Sequence, residues 1–599
     1  MLPPRRGRRP GDLRVVLPRG AKLPRTLGAP ALFSACYGNV GSSIYYALGV
    51  TAAFALGLTP LALILAGCVF VTTALSYAEG TAALPHAGGS SNFARRAFNV
   101  PIGFIVGWVQ LLNYTVTVTI SAYTAVSYFA VLAEYLPVLQ ALHEPLWRIV
   151  AAIGLVGLLI VVNIIGIQES SFINLLLALL DLGTQLVLVV LGVLLLLNLD
   201  TVIRSIHFGV APTWGNFLAS ISLAMVTYTG IETISNMSEE ARNPGRTVPR
   251  SYLLVIVAVL FVSAFLPTVG LSVFPAHFDP ASGQFVTDLA QQWRNDPVSG
   301  IVSKFHPAWL AYWAGVWVAI LAFTILVIAT NAGLIGISRL SYSLATYKLF
   351  PAPFARLHHR YKTPYVSIIV FGIVAALLIL PNQIDQMAAT YSLAATSAFC
   401  VAHLAVMRLR YVLPDLRRPF RMPLNVRFGR SSISLLSLAG ALAIGAVFTQ
   451  LITENIAGSS FIYLGWLALG ALAFVGYRKY QGRPIWEPLE ASPAEARPGG
   501  GRPPERVPAA ERVHVGRRRT AAAHGEPKPA DDAVLAPWTP RRQIARVLVA
   551  FVFAVVAAAC LAVDLSPLDP FGPRPTWSPG VLVVLAIATF LLFRSRIGR

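Results

Sequence analysis

Apolar runs of about twenty residues recur along most of this chain, and each is long enough to cross ~30 Å of hydrocarbon as a helix. That recurrence makes the chain an all-α polytopic membrane protein. Charged residues support this reading: they make up 12% of the 599 residues, where a soluble protein carries roughly a quarter. The opening "MLPPRRGRRPGDLRVVLPRGAKLPR" is basic and proline-rich, and its apolar run is too short and broken for a signal peptide. The net charge of +21 is spread over loops, so it is read as a record of topology and not as a nucleic-acid surface. Cys36, Cys68, Cys400 and Cys560 lie in apolar spans at no metal spacing and read as small packed hydrophobes.

Helices are expected near 29–55, 59–83, 102–132, 149–168, 172–198, 216–236, 251–274, 308–343, 365–381, 386–409, 432–453 and 459–477, with two more near 544–563 and 577–593. Four segments follow: a basic cytoplasmic segment at 1–28, a core of twelve spans at 29–478, a basic Pro/Gly/Ala-rich linker at 479–543 that reads as disordered, and two further spans with a cytoplasmic end at 544–599. With the N-terminus cytoplasmic, the inner loops collect Arg95, Arg96, Arg242, Arg246, Arg250, Arg339, Arg356, Arg360 and the arginines from 408 to 430. The outer loops keep little beyond Arg148, Arg204, Arg294 and Lys304. That asymmetry fixes orientation and returns the C-terminus to the cytoplasm.

One stretch works against its own helix. "CYGNVGSSIYYAL", at 36–48, places glycine, asparagine and serine in the middle of span one. Each glycine costs about 1 kcal/mol against alanine in a helix interior, and Ser and Asn compete for backbone hydrogen bonds. If the first ten spans form two units of five, each unit has an odd number of crossings, so the second is inserted upside down relative to the first. Interrupted helices of such inverted repeats meet at the bilayer midplane. Span six carries the matching lesion in "LASISLAMVTYTGIETISNM". A helix broken in lipid leaves peptide groups that cost several kcal/mol each unless they line a cavity. Freed N–H groups suit a carboxylate and freed carbonyls suit a cation, so a zwitterion matches both.

Five blocks in order then resemble the amino acid–polyamine–organocation (APC) permease family. "GNVGSSIYYALG" is similar to the family's first-helix "GxxIGSGIF", and "SYAEGTAALPHAGGSSNFARRAFNVPIGFIVGW" resembles its second block. "NIIGIQESSFIN", "TGIETISNMSEEARNPGRTVPRS" and "TNAGLIGISRLSYSLATYKLFP" follow its later ones. The resemblance covers roughly 29–478 and implies a LeuT-like fold of five-plus-five inverted repeats, about 29–199 and 215–410, with helices one and six broken. Two departures stand out. The usual "GSG" is Gly41-Ser42-Ser43, and the fifth-helix lysine of many proton-coupled members is Asp181 here.

The residues expected to contact substrate are Gly41, Ser42, Ser43, Tyr228, Thr229, Gly230 and Glu232. Asp181 lies nine residues after Phe172, about 13 Å into the bilayer at 1.5 Å per residue. A bare carboxylate near the centre costs about 2.5–3.5 kcal/mol, so Asp181 and Glu232 are the expected coupling or ion sites. Asp181→Asn is expected to change the ion dependence of uptake, and Glu232→Gln its pH profile. Glu79, Glu239, Glu240 and Arg242, at the cytoplasmic ends, are expected to form a gate. Asn113 and Tyr114 face the site only in a favourable register, and His403 reads as a hydrogen-bonded core histidine.

No "GxSxG", "HExxH" or Walker pattern occurs, so neither an enzyme nor an ATP-driven pump is expected, and no cofactor or metal site is read. The reading is a secondary active transporter of an amino acid or related organic cation in the plasma membrane, working by alternating access. H+ or Na+ coupling and exchange both stay open. The alternatives are an inorganic cation transporter on the same fold and a transporter-like sensor. Substrate identity and oligomeric state are not legible.

Overall fold

The computed structural model describes residues 25–486 apart from positions 26, 87, 135–136, 166–170, 208 and 429–430. The expected linker at 479–543, from 487 onward, the two expected C-terminal spans and the basic segment before 25 lie outside the described residues. The chain begins with α1 (Ala29–Val40), a 3-10 turn at Gly41–Ser43 and α2 (Ile44–Ala55), then α3 (Thr59–Ala83), α4 (Gly89–Ala97) and α5 (Val100–Val131). It continues through α6 (Pro145–Ile165), α7 (Ser171–Leu195), α8 (Leu199–Arg204) and α9 (Trp214–Ala224) to a 3-10 turn at Met225–Tyr228 and α10 (Glu232–Asn236). Then come α11 (Pro244–Val273), the hairpin β1 (His277–Asp279) and β2 (Gln284–Val286), α12 (Pro297–Ser303), α13 (Ala308–Thr346) and α14 (Tyr365–Ile379). Last are α15 (Ile384–Val412), the hairpin β3 (Asn425–Phe428) and β4 (Ser431–Ser434), α16 (Leu435–Glu454) and α17 (Ser459–Tyr480).

Among the described residues, ten helical runs are long and apolar enough to cross a membrane. One of them, Ala29–Ala83, covers 55 residues and holds the first two expected spans. The turn between them is set by Leu56, whose φ of 48° no helix accepts. Tyr365–Ile379 is a shorter apolar helix of 15 residues. Helix starts follow local chemistry. Asn99 caps α5 by accepting from the Ile102 N–H at 3.0 Å, and Pro101 sits in the first turn. Thr213 and Ser434 cap α9 and α16 in the same way.

Helices α6, α7 and α11 turn exposed faces of Leu158, Val161, Val187, Val190, Leu254 and Val257 outward, as lipid-facing helices do. The core lies where α1, α2, α3, α7, α11 and α15 converge. Pro267 inside α11 has no N–H to donate to the carbonyl of Ser263, one turn earlier, and Ser263 faces that core.

The two expected breaks take different forms. Span six breaks outright: Thr229 is extended (φ −79°, ψ 159°) and Gly230 has φ +97°, between the 3-10 turn and α10. Span one does not unwind. Val40, Gly41, Ser43 and Ile44 all keep right-handed helical dihedrals, and the chain only tightens to 3-10 geometry over Gly41–Ser43. The serines explain the difference. The hydroxyls of Ser42 and Ser43 donate to the Asn39 carbonyl at 3.0 and 3.3 Å, which holds the turn closed, and a Cβ at position 43 removes glycine's access to positive φ.

Candidate functional site

The 3-10 turn of span one lies against the 3-10 turn of span six, and α1 packs against α10. Asn39 donates to Thr233 Oγ1 at 3.2 Å, and a Cβ on Gly230 would stand 2.7 Å from the Asn39 side chain. The Cys36 thiol points at the Gly230 and Ile231 carbonyls, 3.8 and 3.9 Å away. Gly230 therefore has two reasons to be glycine: a left-handed backbone and a neighbour with no room for a methyl group.

Between these turns lies a cavity of about 10 Å³, room for about one water, lined by Tyr37, Gly41, Gln185, Thr227 and Ser263 among apolar neighbours. Expected site residues divide around it. Gly41, Ser42 and Ser43 form the span-one turn and are fully buried. Thr229 and Gly230 form the break, and the Thr229 hydroxyl donates to the Val226 carbonyl at 2.7 Å. Tyr228 turns the other way: its hydroxyl donates to the Leu63 carbonyl at 2.7 Å and its ring stacks on Phe70, which ties the break to α3.

Glu232 follows the break, buried, and neither carboxylate oxygen has a hydrogen-bond partner among the described residues. Tyr77, Tyr114, Tyr252 and Tyr391 all lie within electrostatic reach of it. The hydroxyls of Tyr77, Tyr252 and Tyr391 also close no hydrogen bond there. Buried polar atoms without partners are rare in folded proteins, and a cluster of them at a helix break marks a place built to meet something else.

Asp181 is fully buried on α7 beside the span-one turn. Its Oδ1 accepts from the Tyr45 hydroxyl and its Oδ2 from Gln185 Nε2, both at 2.8 Å. Gln185 Nε2 also donates to the Gly41 carbonyl at 3.3 Å, and its Oε1 accepts from Tyr37 at 3.2 Å. Tyr45 is in turn held by Tyr128, whose hydroxyl donates to the Tyr45 carbonyl at 2.9 Å.

Sequence reasoning named only Asn113 and Tyr114 on the third wall and missed Thr117, Ser121 and the fourth wall. On α5, Thr117 and Ser121 face inward. The Tyr46 hydroxyl, bonded to Ser43 Oγ at 2.9 Å, lies toward Ser121. The Tyr391 hydroxyl of α15 lies between Thr117 and Thr229 without closing a hydrogen bond to either. The signal was present as Gln110, Asn113, Thr117, Ser121 and Thr124, a polar row at helical spacing in an apolar span. The Asn113 carbonyl oxygen and Ser121 hydroxyl on this row are buried without partners, whereas Tyr114 turns to Asn236 and accepts from its amide.

The expected gate residues all sit at one end. Glu79 is buried and gripped by Arg410, with its Oε1 accepting from Arg410 Nε at 2.6 Å and lying 3.8 Å from Arg418. The Met422 N–H adds a further bond to it at 2.9 Å. Glu240 pairs with Arg339 at 3.1 Å, and Glu239 lies 3.7 Å from His86. Arg242 is exposed, and its backbone N–H donates to the Leu27 carbonyl while Leu27 N–H donates to the Glu240 carbonyl. At the opposite end Arg294 forks onto Asp385, and the Val298 N–H donates to the Tyr128 hydroxyl at 3.3 Å. His403 lies within 3.2 Å of hydroxyls from Thr73, Ser76 and Ser437, a hydrogen-bonded core histidine as expected. Among the described residues no group of His, Cys, Asp and Glu has a metal-binding arrangement.

Comparison with known proteins agrees with this architecture. The sequence profile of the family described as amino acid permease matches residues 27–474. The branched-chain amino acid permease BcaP of Bacillus subtilis is 27% identical over 418 residues, covering 67% of this chain and 84% of that protein. The methylthioribose transporter of the same species is 26% identical, covering 68% and 85%. The low-affinity putrescine importer PlaP of Escherichia coli K12 is 24% identical, covering 72% and 88%. Coverage on this scale, from α1 into α17, makes the chain a member of the amino acid permease family: a multi-pass membrane permease and not an enzyme.

Proposed function

We propose that the chain is a secondary active transporter of an amino acid or related organic cation, working by alternating access across the plasma membrane with both termini cytoplasmic. The observation that carries the reading is the broken backbone at Thr229–Gly230 pressed against the span-one turn, with Glu232 and three tyrosine hydroxyls left unpartnered around it. Peptide groups at such a break meet the charged ends of a zwitterion. The fold is read as a LeuT-like five-plus-five inverted repeat within a twelve-span core, followed by a basic linker and two further spans.

Gly41, Ser42, Ser43, Thr229 and Gly230 hold the substrate, while Thr117, Ser121 and Tyr391 line the wall its side chain meets. Tyr228 fixes the break to α3. Glu232 and Asp181 carry coupling. Glu240 with Arg339, Glu239 with His86, and the strand-like contact of Leu27 with Glu240 and Arg242 close one end, and Arg294 with Asp385 closes the other. The named relatives are a branched-chain amino acid permease, a methylthioribose transporter and a putrescine importer, which supports the choice of a small organic solute for this chain. An inorganic cation is the weaker reading, because both Asp181 oxygens are already taken by neutral donors.

The test is uptake by the full chain in proteoliposomes. Labelled leucine, lysine, putrescine and methylthioribose are each offered with and without a sodium or pH gradient. Accumulation of at least one, blocked by Gly230→Ala, is expected. No uptake of any solute above protein-free vesicles, together with no ligand-induced rise in melting temperature, overturns the reading.

A further inference from the structure

Resting on the reading of Asp181 as a coupling group, we infer that Gln185 is the residue through which a proton on Asp181 acts on the span-one turn. Gln185 follows Asp181 by one helical turn, on the same face of α7. Its amide orientation is fixed by its neighbours: Nε2 lies between two acceptors, Asp181 Oδ2 and the Gly41 carbonyl, while Oε1 receives the Tyr37 hydroxyl. In this arrangement both Asp181 oxygens accept and neither donates, which is the hydrogen-bonding pattern of an ionised carboxylate. Among the described residues no cation pairs with it. The titratable groups facing it are Tyr37 on α1 and Tyr45 on α2, and α11, α12 and α13, which pack against α7, turn no charged residue toward it.

A proton converts one oxygen into a donor that needs an acceptor. Tyr45 and Tyr37 have already given their hydrogens, to Oδ1 and to Gln185 Oε1, and the group that lies against Oδ2 is the Gln185 amide, which presents Oε1 as the acceptor once it turns over. That rotation puts Nε2 beside Tyr37, whose oxygen then accepts, and takes the donor away from the Gly41 carbonyl. The 3-10 turn at Gly41–Ser43 loses its only side-chain tie to α7 among the described residues, next to the cavity between the two turns. A proton needs a single lone pair, whereas a metal cation needs several oxygen ligands converging where two donors now stand. The proton is therefore the ligand assigned here.

The test uses the proton alone, on the purified full chain without substrate. Hydrogen–deuterium exchange of peptides covering 37–46 is measured at acid and alkaline pH, after correction for intrinsic rates, in sodium and in choline chloride. Wild-type exchange at the turn is expected to rise up to about tenfold on acidification, the equivalent of the one neutral amide–carbonyl hydrogen bond that the turn loses. Asp181→Asn, whose amide donates to Gln185 Oε1 permanently, is expected to exchange fast at both pH values. Gln185→Leu is expected to do the same, and Gln185→Met replaces it if that variant does not fold. A purely structural role for Gln185 would raise both rates and keep their ratio; that result overturns the relay and leaves Asp181 standing. An Asp181→Asn protein with the wild-type pH response removes the coupling role itself. A change driven by sodium at fixed pH assigns the site to a metal cation and refutes the proton.

Discussion

Gly230→Ala isolates the broken helix from everything around it. At φ +97° alanine pays for a backbone that L-residues rarely adopt, about 1–3 kcal/mol. The added methyl group would stand 2.7 Å from Asn39 Cγ and Nδ2, so Asn39 must move and give up its bond to Thr233 Oγ1. That loss adds about 0.5–1.5 kcal/mol, for a total near 2–4 kcal/mol. In population terms this is roughly thirtyfold to a thousandfold. Gly41→Ala is the matched control. Its φ of −64° suits any residue, alanine gains about 1 kcal/mol of helix propensity, and the clash is with a Tyr37 ring 2.6–2.9 Å away. Thermal unfolding in detergent and leucine or putrescine uptake in proteoliposomes are measured side by side. Gly230→Ala is expected to melt well below wild type and lose uptake, with Gly41→Ala intermediate in both. A Gly230→Ala protein that melts and transports like wild type would refute the claim that this backbone is strained and that transport depends on it.

Glu79→Gln strips the anion from buried Arg410 and Arg418 and is expected to cost about 3–5 kcal/mol, read as a large drop in melting temperature that Arg410→Met in the same chain partly restores. Arg294→Ala breaks a pair about a third exposed, so stability is expected to fall by less than about 1 kcal/mol, while the salt dependence of the uptake rate weakens. Tyr391→Phe removes a hydroxyl that closes no hydrogen bond, so melting stays within about 0.5 kcal/mol of wild type while KM for substrate rises. A melting loss in Tyr391→Phe as large as the KM effect would place that hydroxyl in folding and not in binding.

The spans were legible because lipid asks one simple thing of them, a long apolar helix. Val100–Val131 and Leu435–Glu454 lie within a few residues of their sequence-based limits. The start of α11 was placed seven residues late because Arg246 and Arg250 read as loop; Pro244 in its first turn starts the helix earlier. The break at Gly230 was legible because Thr227, Thr229, Gly230 and Glu232 set weak helix formers and a charge in the middle of an apolar span. The span-one lesion was legible as a weak point but not in its form, since the bond from Ser43 to the Asn39 carbonyl depends on local geometry that no propensity encodes. Tyr45, Gln185 and Tyr391 were invisible for a different reason. Buried tyrosines and a glutamine in apolar spans look like packing until three-dimensional neighbours give their polar atoms an address.

The ionic contacts at the two ends of the bundle differ in how much they resist separation. The carboxylate clasped by Arg410 and Arg418 has no solvent to fall back on, so parting α3 from α15 there would strand a buried anion and leave two buried guanidinium groups without it. Glu240 with Arg339, and Arg294 with Asp385, already touch water and come apart cheaply. On the alternating-access reading proposed above, the rocking motion swings about the Glu79 cluster as its fulcrum and leaves the wet pairs as the jaws.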